Sequence, residues 1–166
     1  MNRSEFLHKY REEMQGKPTN IALEQAFWQI GWLCRDELEQ VATRMMAESY
    51  DAPSLVEIAA GLADTYTISA TAEKAFGEIG LEAISREQAG LIVAQQVASR
   101  IVTGTLTPDE GVSLLSSMYW PLGCPAYLLP LYVLADYLEE QCYMTPDECR
   151  RDIVAEARKL MEMAIV

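Results

Sequence analysis

Apolar residues recur at three- and four-residue intervals along most of the chain, a period that predicts helix nearly everywhere. Phe6, Leu7, Tyr10 and Met14 fall on one side of a first helix that Gly16-Lys17-Pro18 terminates. From Thr19 or Asn20 onward, Leu23, Phe27, Ile30, Cys34, Leu38, Val41 and Met45 keep the spacing of one long amphipathic helix, bent near Gly31. Ser54-Leu55-Val56-Glu57 reads as a capping box, with Leu55, Ile58, Leu62 and Tyr66 on the buried face behind it. Thr65-Tyr66-Thr67-Ile68-Ser69 alternates like a strand, but so short a run without a partner makes poor sheet and reads as a helix junction. Ala72, Ala75, Phe76 and Ile79 mark a short helix closed by Gly80. Ser85-Arg86-Glu87-Gln88 opens another, with Ala89, Ile92, Val93, Val97 and Ile101 inward and Gly104 just past its end.

Two later helix starts share four letters, Thr107-Pro108-Asp109-Glu110 and Thr145-Pro146-Asp147-Glu148. In each, threonine caps, proline sits where its missing N–H costs nothing, and two carboxylates meet the positive end of the helix dipole. Residues after the two motifs do not align, so they read as similar caps and not as a repeat. Val112, Leu115 and Met118 face inward in the first helix, and Ile153, Ala157, Leu160 and Ala164 in the last. Between them a helix over 130–143 buries Leu131, Leu134, Leu138 and Cys142. The fold expected is all-α, a helical bundle of about seven or eight helices.

Length and composition narrow the class. A chain of 166 residues, half of them apolar and 23% charged, can bury a real core and has no disordered bias. No linker or composition break divides it, so residues 1–166 are expected to form one acidic helical domain. The start, Met1-Asn2-Arg3-Ser4-Glu5, runs into mixed charge with no apolar block, which predicts no leader and a cytoplasmic setting. Cys34, Cys124, Cys142 and Cys149 show no CxxC spacing and read as reduced thiols, although Cys142 and Cys149 flank a helix start and are placed to approach one another. Residues 111–135 carry no charge over a length that could span a bilayer, but Pro121, Gly123, Pro125 and Pro130 break the helix at its centre.

Charge is unevenly placed. Residues 20–149 hold 19 Asp and Glu against Arg35, Arg44, Lys74, Arg86 and Arg100, while both ends carry a slight basic excess. Between Arg100 and Arg150 there is no Lys or Arg. A surface of one sign repels nucleic acid and anionic lipid and attracts basic partners. The bases that cluster, Arg150, Arg151, Arg158 and Lys159, serve the last helix.

Catalytic and metal signatures are missing. His8 is the single imidazole; Glu5-Phe6-Leu7-His8 matches one half of a di-iron motif whose second half has no histidine available. There is no zinc spacing, no GxSxG elbow, no GxGxxG fingerprint and no phosphate loop. No enzyme activity, cofactor or metal is expected on these grounds.

What remains is a surface. On the 130–143 helix, a 100° step gathers Tyr132, Asp136, Glu139, Glu140 and Tyr143 opposite the buried face. Like charges at this spacing repel, and tyrosines beside them add rigid apolar area with a polar tip, the composition of interface hot spots. The same residues also read as the solvated face of an acidic protein. Next door, Tyr119 and Trp120 begin an uncharged aromatic stretch to Tyr127, either a loop folded over the core or an apolar recognition patch. Trp28 and Trp32, one turn apart, read as core or core edge.

The stretch Val102-x-Gly104-x-Leu106-x-Pro108-x-Glu110-Gly111, followed by Leu134-Ala135-Asp136-Tyr137-Leu138-Glu139-Glu140 and a closing amphipathic helix, resembles small acidic helical proteins of bacteria. In size and acidity the chain is similar to immunity proteins that neutralise bacterial toxins. The likeness is a pattern of helix caps over roughly the last 65 residues, and it implies a binding role. The leading expectation is an interaction protein that docks a basic protein partner through Tyr132, Asp136, Glu139, Glu140, Tyr143, Tyr119 and Trp120. The alternatives are a homodimer built on the 119–127 patch, or a small-molecule binder with a pocket between helices.

Overall fold

The structure, a computed structural model, describes residues 1–140 and 143–165. Every regular element among them is helical. There are nine α-helices: α1 (Arg3–Glu13), α2 (Ile21–Gln29), α3 (Arg35–Ala47), α4 (Pro53–Ala59), α5 (Ile68–Glu78), α6 (Arg86–Val102), α7 (Pro108–Tyr119), α8 (Leu129–Glu140) and α9 (Pro146–Met161), with one 3-10 turn at Ala126–Leu128. They belong to two compact units, Met1–Glu12 with Arg86–Val166, and Glu13–Ser85.

In the larger unit α6 packs on α7 and α9, and α8 packs on α7 and α9. Val93, Val97 and Ile101 of α6 share a core with Val112, Leu114, Leu115 and Met118 of α7, Leu131 and Leu134 of α8, and Ile153, Ala157 and Leu160 of α9. Buried Cys149 joins them and donates its thiol hydrogen to the Leu134 carbonyl at 3.3 Å, fastening α9 to α8. The Gln95 amide donates to the carbonyls of Leu160 and Met163 (3.1 and 2.7 Å), satisfying the open end of α9. Buried Arg100 lies over the rings of Phe6 and Tyr10, at 5.2 and 5.6 Å from their centroids, and so holds α1.

In the smaller unit α4 packs on both α3 and α5. The long helix expected from residue 20 to Met45 is two helices. Gly31 takes φ +78°, a left-handed conformation that ends α2, and Cys34 then starts α3 with its N–H donated to Glu37 at 2.7 Å. This break accounts for the ninth helix, and it leaves Cys34 exposed where a continuous helix would bury it. The turn brings Trp32 back onto Phe27, their rings stacked at 5.8 Å.

Ser54 does not cap α4. The helix begins two residues earlier than a Ser54 cap implies, with Ala52 as N-cap and Pro53 at N1, and the Ser54 N–H and hydroxyl donate instead to Glu78 of α5 at 3.0 and 3.1 Å. Leu62 and Tyr66, expected inward, are 74% and 96% exposed. α4 ends at Ala59 and Gly61 turns the chain at φ +67° ahead of Leu62, while the Asp64 carboxylate accepts the N–H groups of Tyr66 and Thr67, both at 2.8 Å, and folds the junction that leaves Tyr66 outside. Ala164 is likewise exposed, since α9 stops at Met161. Cys34, Cys124 and Cys149 are free thiols, whereas Cys142 lies outside the described residues, and with it the Cys142–Cys149 pairing.

Candidate functional site

The candidate residues stand on α7 and α8, and the start of α7 is set by the cap read in the sequence. The Thr107 hydroxyl accepts the Glu110 N–H at 3.2 Å while Glu110 accepts the Thr107 N–H at 3.1 Å. Thr145 and Glu148 repeat the arrangement at α9, at 3.3 and 2.9 Å. The Thr107 N–H holds the Glu110 carboxyl below the usual range, and the Thr145 hydroxyl, which donates to Glu148 at 2.7 Å, does the same for that carboxyl together with the Thr145 N–H. Asp109, just inside α7, takes Arg150 of α9 in a two-point pair, Nε to Oδ1 at 2.8 Å and Nη2 to Oδ2 at 2.9 Å. The Arg150 guanidinium lowers the Asp109 pKa, and the pair fixes one end of α7 against α9.

Between α7 and α8 runs a cleft of about 290 Å3, with Asp109, Ser113 and Ser116 on one side and Tyr132, Asp136 and Glu139 on the other. Val112 and Leu138 supply apolar surface. Asp136 and Glu139 are exposed, and neither pairs with another described residue. In the same unit Asp109, Glu110 and Glu148 are all engaged in caps or ion pairs, so the cleft concentrates uncompensated charge.

Tyr132 is held by an aromatic trio. Its ring stacks on Tyr119 at 4.6 Å, Trp120 meets both rings edge-on, and the Trp120 indole N–H donates to the Tyr132 hydroxyl at 3.3 Å. Burial pushes the Tyr119 hydroxyl up, with a further contribution from the thiol of Cys124. Trp120 remains 66% exposed. The rest of the uncharged stretch folds over the core. Leu122 and Tyr127 cover Gly90 of α6 so closely that a Cβ there would sit 2.6 Å from the one and 2.8 Å from the other. Burial raises the Tyr127 phenol to about 12.

Of the seven residues picked from the sequence, the structure brings Tyr132, Asp136 and Glu139 into one cleft and backs Tyr132 with Tyr119 and Trp120. Glu140 and Tyr143 do not line it. α8 ends at Glu140, and Tyr143 lies beyond it at φ +70°, exposed, with its ring 5.3 Å from Tyr137. The helical projection therefore does not extend to Tyr143. Asp109 was not picked, and no spacing signal gives it away, because only the packing of α7 on α8 places it there. His8 sits exposed on α1, 3.3 Å from Glu12. Among the described residues no cluster of His, Cys, Asp or Glu could hold a metal ion, and no helix is long and apolar enough to cross a membrane. The chain matches no protein-family model, no curated protein and no solved structure.

Proposed function

We propose that this chain is a protein-interaction module whose α7–α8 cleft receives a basic segment of a partner protein. The supporting observation is the pairing of two unengaged carboxylates, Asp136 and Glu139, with a tyrosine made rigid by stacking and flanked by an exposed tryptophan. A lysine or arginine placed between those carboxylates gains charge-assisted hydrogen bonds, and its aliphatic stem covers Tyr132. Trp120 offers an anchor for an apolar neighbour in the same segment. A toxin with a basic active cleft would be one partner of that chemistry, the role that the likeness to immunity proteins implies.

Panning the immobilised chain against displayed random peptides tests this. Enriched peptides are expected to carry Lys or Arg beside an aromatic or apolar residue. Their Kd should rise about tenfold or more in the Asp136→Lys, Glu139→Lys double variant. Peptides without basic bias, or equal binding by the double variant, would refute the reading.

A further inference from the structure

A second cavity lies within the smaller unit and has no part in the α7–α8 cleft. It measures about 100 Å3 and is lined by Gln25, Trp28 and Gln29 of α2, Glu73 and Phe76 of α5, and Ala83 and Ile84 of the segment before α6. Its frame is built. The buried Gln25 amide donates to the Glu82 carbonyl at 2.9 Å, which braces the 79–85 segment over α2, and Phe76 is a core residue only 4% exposed. Its polar groups are uncommitted. Among the described residues the Trp28 indole N–H, the Gln29 amide and the Glu73 carboxylate have no hydrogen-bond or ion-pair partner.

We infer that this cavity binds a small organic ammonium ion, with the charged head between Trp28 and Phe76 and its charge balanced by Glu73. Two aromatic side chains and a carboxylate favour a cation over a neutral or anionic guest, because the ring quadrupole and the carboxylate attract the same sign. The surroundings act alike. Residues 13–85 carry 12 acids against Lys17, Arg35, Arg44 and Lys74, and a field of that sign raises the local concentration of cations. Size limits the guest: a closed cavity of roughly 150 Å3 admits benzene, with six heavy atoms. A space of about 100 Å3 open at one side therefore suits a head of about four heavy atoms, such as trimethylammonium, with its tail in solvent. Methylated nitrogen has no N–H to desolvate, which matches walls that Phe76, Ala83 and Ile84 make largely apolar.

Choline and its neutral isostere 3,3-dimethylbutan-1-ol separate charge from shape. Titrations followed by the indole N–H cross-peaks of the three tryptophans read the site directly, with Trp28→Phe serving only to assign its signal. Choline is expected to move the Trp28 cross-peak, to bind about tenfold more tightly than the isostere, and to lose about tenfold in Glu73→Gln. Glu73 is exposed and unengaged, so Glu73→Gln should melt like the parent and its loss should be one of binding alone. Equal binding of the two compounds, or unchanged affinity in Glu73→Gln, would show a merely apolar pocket and overturn the inference. No movement of the Trp28 cross-peak by either compound would overturn it as well.

Discussion

At the scale of single residues, Gly111 is the glycine with the least room for a side chain, against Ile101. A Cβ added at Gly111 would fall 2.3 and 2.4 Å from Cγ1 and Cδ1 of Ile101, distances that no packed core tolerates without movement. Ile101 is 3% exposed and β-branched, so it has little freedom to swing away. An alanine in a helix normally gains up to about 1 kcal/mol over glycine. Here overpacking, typically about 1–3 kcal/mol, outweighs it. Gly111→Ala should thus lose on the order of 1 kcal/mol in urea unfolding. Adding Ile101→Ala removes the clashing atoms, so the double variant should be more stable than the sum of the two single changes predicts. Strict additivity would mean that α7 and α6 are not this close.

Among the elements, the break between α2 and α3 carries a test whose sign decides. If residues 20 to 45 were one helix, Gly31→Ala would stabilise it by about 1 kcal/mol. With Gly31 at φ +78°, the same change forces a side chain into the left-handed region at a cost of about 1–2 kcal/mol. A lowered Tm is the expected result. The episode also shows what the sequence made legible. Periodicity and caps located eight of the nine helices, because Thr107, Thr145, Gly80 and Gly104 act through bonds within a few residues of themselves. The break at Gly31 escaped because Leu38, Val41 and Met45 stay buried on either reading. An apolar stripe alone does not distinguish a bent helix from two helices that share a core. Ser54 misled for a related reason, its partner being Glu78 on another helix and not Glu57.

For the molecule as a whole, charge was legible in amount but not in use. Many carboxylates are engaged in caps and turns: Glu37, Glu48, Asp64, Glu78, Glu110 and Glu148 each accept from a backbone N–H. The Thr-Pro-Asp-Glu motifs already mark Glu110 and Glu148 as cap residues, but for Glu48 and Glu78 only the fold shows the difference from Asp136 and Glu139, because their partners Thr19 and Ser54 stand far away in the sequence. That use dictates how stability depends on pH. Asp64, Glu78, Asp109, Glu110 and Glu148 titrate below their ordinary values of 3.8 and 4.5, chiefly through the Thr67, Ser54 and Thr107 amides, the Arg150 guanidinium and the Thr145 hydroxyl. A lowered carboxylate stabilises fully above its unfolded pKa and loses that contribution as pH falls through the folded one. Stability should therefore hold near neutrality and decline below 4.5, in both units, since Asp64 and Glu78 stand in one and the others in the second. Alkali acts in the reverse sense. Tyr127, raised from 10.0 to about 12, and Cys149, raised from 9.0, both mainly by burial, favour the folded state only while protonated there. Their contribution is complete below the unfolded values and disappears as pH climbs through the folded ones. Both lie in the larger unit with Trp120, whereas Trp28 and Trp32 lie in the smaller one. With 5-fluorotryptophan at all three positions, the Trp120 resonance should reach its unfolded shift at a lower alkaline pH than the other two. A common transition for all three would show that the alkaline loss is not local to the unit that buries Tyr127 and Cys149.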